Sequence, residues 1–442
     1  MRERLAQAGS AFWLRDARAP ACLLDAPPAA PDREGLQRFD LRIEAGRIAA
    51  ITPPGNAPAD APSLDSDQLW PCPVDAHTHL DKGHIWNRAP NPDGSFAGAV
   101  ASVTTDRDAH WTEADMERRA DFALRSAFAH GTVAMRTHLD SYLPLARTTW
   151  PLFMRLRETW AGRIALQLCS IAPMERYAGA EGEALADIVA GSGGTLGMVT
   201  RLGGDFAAPL PPDFQPLLDR FFDLAEARGL DLDLHVDESG ETGARALREI
   251  ALTALRRGFR GRIQAGHCCA LTLQPEAHQR ETLALMAEAR RRVVVLPMCN
   301  MYLQDRTPER TPRWRGVTLV HEMRAAGIPV SFASDNTRDG FHAYGDLDMM
   351  EVHREATRIL HLDQPYGDWA RAVTAEPAAA MGIEAGSLRV GAAADLLLFR
   401  ARHMTELLSR PQADRIVLRG GRVSQAELPD WRELDAGLSA PS

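Results

Sequence analysis

Short apolar runs that close on a polar side chain recur through the middle of the chain, at residues 74–79, 132–139, 163–171, 195–202, 231–236, 262–267, 292–297 and 329–335. Runs of this length, bounded by turn-forming residues, predict buried strands. Between them, residues 113–130, 214–228, 243–256, 274–290 and 319–326 repeat their apolar positions every three or four residues, the period of an amphipathic helix. Eight strands with intervening helices predict an α/β chain folded as a (β/α)8 TIM-like barrel of about 300 residues. A doubly wound open sheet shares the alternation, but the chain has no glycine-rich dinucleotide loop to recommend it.

The flanks have another texture. Residues 11–15, 41–43 and 47–51 read as short strands, and residues 53–62, rich in Pro, Ala and Gly, read as a loop. Residues 394–399 and 415–423 repeat the pattern near the other end. Both ends are expected to meet in one small β-sandwich domain, residues 1–70 with 386–442, leaving 71–385 as the barrel.

Composition narrows the function classes. The chain has 442 residues, 45% hydrophobic and 25% charged, enough for a large core. A net charge of -9 argues against a nucleic-acid partner, which needs a basic surface. The six cysteines are scattered with no CxxC pair and read as reduced thiols. No apolar run is long enough to span a bilayer, and the first residues lack a signal core, so the expectation is a cytoplasmic protein without a membrane partner. Lys82 is the sole lysine among many arginines, which marks it either as a chance survivor or as a required compact ammonium.

The chemistry lies at the strand ends. His77 and His79 close the first strand two residues apart, so both imidazoles face one side. His235 ends the fifth strand, His267 the sixth and Asp335 the eighth, and the C-terminal rim is where barrels build their sites. Three histidines and an aspartate can hold one divalent metal with room for a water. Glu238, three residues past His235, is placed to move the water's proton to a leaving group. His267 is either a further ligand or a hydrogen-bond donor to a developing oxyanion. His138, on the rim of the second strand beside Asp140, reads as a supporting residue. Singly, each of these has a structural alternative: a satisfied polar strand end, a turn cap at Asp335, a solvated charge at Glu238. Jointly, unrelated structural residues would not all fall on one rim.

The segments Val74-Asp-Ala-His-Thr-His-Leu-Asp81, Arg136-Thr-His-Leu-Asp140, His235-Val-Asp-Glu238, Gly266-His267 and Ser334-Asp-Asn336, in this order, resemble the bacterial cytosine deaminase subgroup of the amidohydrolase superfamily. The resemblance runs over roughly residues 70–400, and Gly391-Ala-Ala-Ala-Asp395 is similar to that superfamily's C-terminal strand entry. It implies one divalent metal ion per subunit, Zn²⁺ or Fe²⁺, on His77, His79, His235 and Asp335. It also implies Glu238 as proton shuttle, His267 as the carbonyl-side or water-side partner, and Asp335 as an aid in deprotonating the water. Two-metal members carry a carboxylated lysine on the fourth strand, and residues 163–234 contain no lysine. Two departures alter the expected ring. Met174 stands where these enzymes carry a glutamine that reads the pyrimidine edge, and Asn336 stands where they carry a second aspartate. An amide both donates and accepts, whereas a carboxylate only accepts. Lys82, Trp86, Met174, Asn336, Arg338 and Phe341 are the candidate substrate-binding residues, and Lys82 with Arg338 would suit an acidic ring oxygen or a carboxylate.

The expected activity is hydrolytic deamination of a small N-heterocycle, a cytosine-like ring other than cytosine, with release of ammonia. The alternative on the same site is hydrolysis of a cyclic amide, or of an N-substituted aminotriazine or pterin-type ring. A non-catalytic scaffold on an old enzyme fold is a third reading, opposed by the intact His77, His79, His235, Glu238 and Asp335. Barrel hydrolases of this kind often assemble as homo-oligomers.

Overall fold

A computed structural model describes residues 1–200 and 209–437. The chain divides into two compact units. The first comprises Met1–Asp75, Arg125–Ala134 and Asp348–Pro429. Its strands Ala11–Pro20, Leu36–Glu44 and Arg47–Thr52 form an antiparallel sheet in that order. A second antiparallel sheet pairs Leu69–Pro71 with Leu396–Leu398, then Ile416–Arg419 and Arg422–Val423. Alternate residues of both sheets bury Leu14, Phe39, Leu41, Ile43, Leu69, Leu396 and Leu418 in one apolar cluster. The turn at Ala45-Gly46 runs through positive φ at both residues, and a Cβ at Gly46 would stand 3.2 Å from the carbonyl oxygen of Gly420.

Eight further strands lie for all or most of their length in the second unit. They are β1 (Val74–Thr78), β2 (Ala134–Asp140), β3 (Ala165–Ile171), β4 (Leu196–Val199), β5 (Leu232–Val236), β6 (Ile263–His267), β7 (Arg292–Val295) and β8 (Val330–Phe332). One sheet has the order β1-β2-β3, and a parallel sheet has the order β4-β5-β6-β7-β8. Parallel bridges Cys169↔Thr195 and Pro173↔Val199 join the β3 side to the β4 side. A parallel bridge Thr78↔Asp335 joins the end of β1 to the residues after β8. Their side chains are buried almost throughout, as in Val293-Val294-Val295, which is why they read as unbroken apolar runs.

Each strand predicted between residues 74 and 335 is present and shorter than expected, the second shifted to Ala134–Asp140. The expected 329–335 contracts to Val330–Phe332 because the chain turns out of the sheet before Asp335, whose φ is 63°. Residues 201–202 of the expected 195–202 lie outside the described residues. Helices Phe96–His110, Ala146–Thr159, Ala180–Ser192 and Met349–Leu360 were not anticipated. Phe96–His110 is built mainly of Ala, Val, Thr and Asp and lacks a strong apolar stripe, and Ala146–Thr159 carries Pro151 in its second turn, where proline discourages a helical reading. Among the described residues, no helix is long and apolar enough to cross a membrane.

His353, in the helix Met349–Leu360, is buried with its ring 5.5 Å from that of Trp70, and burial pushes its pKa down to about 4. The unfolded chain protonates this imidazole near its ordinary value of about 6.5, and the folded chain does not until about 4. Stability from this group is therefore complete above pH 6.5 and is lost as pH falls toward 4. His353→Leu should flatten the fall in unfolding free energy across that window, by up to about 1.4 kcal/mol per pH unit. Denaturant titrations at several pH values measure this, and an unchanged slope would refute the assignment.

Candidate functional site

The ends of β1, β5 and β6 and the turn after β8 bring their polar side chains to one point. His77 Nε2 lies 3.1 Å from His235 Nε2, and His235 Nε2 lies 3.3 Å from His79 Nε2. Asp335 Oδ1 lies 3.5 Å from His77 Nε2 and 3.3 Å from His79 Nε2. Strand geometry explains the convergence: His77 and His79 share a face, and parallel pairing sets His235 opposite Gly266, one residue before His267. Gly266 gives His77 its room, since a Cβ there would stand 3.3 Å from the His77 ring. His267 and Asp335 sit at positive φ, 67° and 63°, strain of the kind found where a side chain must be aimed at a site.

All four donors are buried. Burial, reinforced by neighbouring imidazoles and by Lys82 beside His79, holds His77, His79 and His235 well below the usual histidine pKa, so their ring lone pairs stay available. Metal–ligand bonds of about 2.0–2.2 Å place neighbouring ligand atoms of a tetrahedral site about 3.3 Å apart. The observed 3.1–3.5 Å separations match that spacing. Two trios that share His77, the mixed His77-His79-Asp335 and the all-imidazole His77-His138-His235, meet the spacing a cation needs, and the donor set suits a divalent one. His138 stacks 4.0 Å from His77, and its Nε2 lies 3.3 Å from Asp233 Oδ1. Asp140 does not orient it, because that carboxylate turns to Lys82.

Beneath these groups lies a buried ionic support. Arg136 Nη1 donates to Asp233 Oδ2 at 2.7 Å, and Gln264 Nε2 donates to the same oxygen at 2.8 Å. Gln264 also reaches the Ala76 carbonyl at 3.2 Å, tying β6 to β1 just before His77.

Glu238 stands past the end of β5 with its side chain 14% exposed. Burial and the Asp335 carboxylate push its pKa well above the usual carboxylate value. Its Oε1 lies 3.3 Å from His267 Nδ1. Burial and His138 drive His267 down to about pKa 3, so it is neutral in the working range. Asn300, in the short helix Pro297–Leu303 after β7, brings its Nδ2 to 2.9 Å from His267 Nδ1.

A cleft opens over these groups and is lined by His79, His235, Glu238 and His267 together with Lys82, Asn336 and Phe341. Asn336 Nδ2 donates to the buried Asp339 at 2.7 Å. Lys82 Nζ donates to Asp140 Oδ1 at 2.7 Å; burial opposes its charge, but Asp140 and Asp81 outweigh burial and hold the ammonium above its ordinary pKa. Three of the anticipated substrate residues do not line the cleft. Met174 is buried at the start of the turn Met174–Tyr177, and Ile171 and Val199 line the wall instead. Arg338, at φ 50°, turns away to Asn87 Oδ1 at 3.2 Å and stacks over Trp431. Trp86 is held by its backbone N–H to the Arg338 carbonyl, with the same loop. The second cation of the cleft is Arg107, 3.3 Å from Asp140 Oδ2 and stacked over Tyr142. It belongs to the helix Phe96–His110, which turns Phe96, Val100, Val103, Thr104 and Arg107 toward the cleft. Phe96, Val100 and Val103 keep a helical spacing, but Thr104 and Arg107 on the same face break the apolar stripe that sequence reading relies on.

Residues 184–425 match the model of the amidohydrolase family. A pterin deaminase from Rhizobium rhizogenes (strain K84 / ATCC BAA-868) is 50% identical over 414 residues, 93% of this chain and 93% of that protein. The solved structure of a 5-methylcytosine deaminase from Klebsiella pneumoniae, liganded with 5-fluorocytosine, superposes with a TM-score of 0.78 at 22% identity, covering 95% of this chain and 98% of the other. An N-isopropylammelide isopropylaminohydrolase from Burkholderia multivorans ATCC 17616 superposes with a TM-score of 0.73 at 25% identity, covering 94% and 98%.

Arg136→Met should destabilise the protein by about 3–5 kcal/mol, because it strands the Asp233 carboxylate in the interior. Adding Asp233→Leu should recover much of that loss, since no buried charge is then left alone. Chemical denaturation of the two variants tests the point, and a double variant no better than the single would contradict it.

Proposed function

The chain belongs to the amidohydrolase family as a hydrolytic deaminase of a heterocycle, and from that premise we propose that its substrate is a pterin-type ring whose exocyclic amine leaves as ammonia. The observation that carries this reading is the set of four buried donor atoms, each 3.1–3.5 Å from two of the others, with Glu238 beside His267 on the same cleft. The extent of the likeness to a pterin deaminase supports the choice of ring. We read residues 71–385 as a closed (β/α)8 hydrolase barrel, for which the bridges at both seams speak, and residues 1–70 with 386–442 as a small β-sandwich domain.

His77, His79, His235 and Asp335 would hold one divalent ion, Zn²⁺ or Fe²⁺. When bound, such an ion acidifies a water and supplies a nucleophile near neutral pH. Glu238 accepts a proton from the attacking water and hands it to the departing nitrogen, a role that suits a carboxyl whose pKa is raised by burial. Asp335 aids the first deprotonation. His267 steadies negative charge as the ring carbon becomes tetrahedral. The new bond joins the water oxygen to that carbon, one water proton ends on the departing amine and the other on the neighbouring ring nitrogen, the carbon–nitrogen bond breaks, and a ring carbonyl and ammonia result. Phe341 and the valines of the helix Phe96–His110 offer flat apolar walls to a fused ring. With its Nδ2 committed to Asp339, Asn336 offers its carbonyl to a ring N–H.

Purified protein should contain about one divalent ion per subunit and release ammonia from pterin faster than from cytosine or an aminotriazine. Release of an alkylamine from an N-alkylaminotriazine would favour the second reading, which the N-isopropylammelide hydrolase likeness motivates. Removing the metal with a chelator should abolish turnover, and re-addition should restore it; full activity in metal-free protein refutes the ligand assignment. Glu238→Gln should keep its metal and lose about 10²–10⁴-fold in kcat. Wild-type turnover in that variant would remove Glu238 from the proton path.

A further inference from the structure

Asn300 is fully buried, carries no charge and lies in a helix of seven residues, yet its amide sits between two groups of the proposed reaction. Its Nδ2 lies 2.9 Å from His267 Nδ1 and 3.5 Å from Glu238 Oε1. His267 Nδ1 and Glu238 Oε1 are themselves 3.3 Å apart.

An amide nitrogen carries two hydrogens and no free lone pair. At 2.9 Å from it, His267 Nδ1 must be the bare, accepting nitrogen, since two N–H groups cannot face each other at that distance. A neutral imidazole with a bare Nδ1 carries its proton on Nε2. The reverse amide orientation would set the amide oxygen against Glu238 Oε1 and oppose the ionised, proton-accepting form that the shuttle role needs. One amino group thus serves two acceptors.

We propose that Asn300 is a positioning residue that holds His267 in the Nε2–H form and Glu238 at the reacting end of the cleft. The inference rests on the hydrolytic reading above and deepens it. Held this way, His267 has no lone pair on Nε2 to offer a metal, so it acts as a hydrogen-bond donor to the oxygen that becomes negative. The other tautomer would send its Nδ1–H into Glu238, tying up the proton shuttle, and would face the cleft with a lone pair that repels the developing charge. The support around the amide is built for this. Gln304, at the end of the same helix, directs its Nε2 to the Glu238 carbonyl at 3.5 Å. Gly316, at φ 78°, lets the returning chain close on the helix, where a Cβ would stand 2.6 Å from the Asn300 carbonyl oxygen.

The test reads the imidazole directly. In the nitrogen spectrum of ¹⁵N-histidine-labelled, metal-loaded protein without substrate, the His267 signals are those lost in His267→Gln. Nδ1 should show as bare and Nε2 as protonated, and Asn300→Asp, whose carboxylate accepts but does not donate, should exchange the two. In ammonia-release assays, Asn300→Ala should lower kcat about tenfold or more with KM changed by less than about threefold, as for a lost transition-state interaction. Asn300→Asp should be worse than Asn300→Ala although it matches the native shape, with metal content and melting temperature of both variants monitored. A protonated Nδ1 in the wild type, or an Asn300→Asp variant more active than Asn300→Ala, overturns the proposal. Absence of ammonia release from every ring tested would instead count against the deaminase reading, and the nitrogen spectrum would still decide the tautomer.

Discussion

Three imidazole nitrogens and a carboxylate oxygen crowd together in the interior, each within 3.5 Å of two of the others, and the rest of the site is arranged around that crowding. Such groups repel through their lone pairs unless protons or a cation come between them. Protons are disfavoured, because burial and the neighbouring rings hold all three histidines far below their ordinary pKa. On the proposed reading a divalent cation resolves the conflict. The backbone keeps the groups together in its absence: parallel registry fixes His235 against Gly266, and the Arg136–Asp233–Gln264 cluster ties β2, β5 and β6 below them.

The protonation states of the neighbouring groups follow from the same burial. The interior favours neutral forms, so Glu238 is driven toward the acid and His267 toward the free base. A carboxyl that gains a proton readily and an imidazole that stays uncharged are a workable pair for moving one proton while stabilising an oxyanion. Lys82 is the exception. It keeps its charge in the interior because Asp140 and Asp81 lie within 4 Å.

The strand ends were legible from sequence because chemistry and periodicity coincide there. His77 and His79 share a strand face by spacing alone, and His235, His267 and Asp335 each close an apolar run, so the elements and the donors were read together. The cleft walls were not legible in the same way. Arg338 is a candidate for its charge, which with Lys82 would suit an acidic ring oxygen, but at a positive φ it turns to Asn87, and Arg107 of the helix Phe96–His110 is the cation that lines the cleft beside Lys82. Met174 was placed by alignment, yet the turn that begins there buries it, and Ile171 just before it meets the cleft. Asn300 was invisible for another reason: an uncharged amide in Pro297-Met-Cys-Asn-Met-Tyr-Leu303 belongs to no motif, and its importance appears only when His267 and Glu238 stand on either side of it.

This contrast separates what is rigid from what can vary. His77, His235 and His267 sit on paired strands whose neighbours are fixed by backbone hydrogen bonds, where a shift of one residue would turn each side chain to the opposite face, and His79 and Asp335 follow close on strand ends. The cleft above is walled by the helix Phe96–His110 and by Tyr142, Phe341 and Asn336 beyond the strand ends, where a substitution alters shape without disturbing registry. Solved structures of a 5-methylcytosine deaminase and an N-isopropylammelide isopropylaminohydrolase share this fold with the chain. Arg107 and Lys82, both leaning on Asp140, stand at the border between the two regions. They link the cleft wall to the strand-end histidines, because Lys82 Nζ lies 3.3 Å from His79 Nδ1.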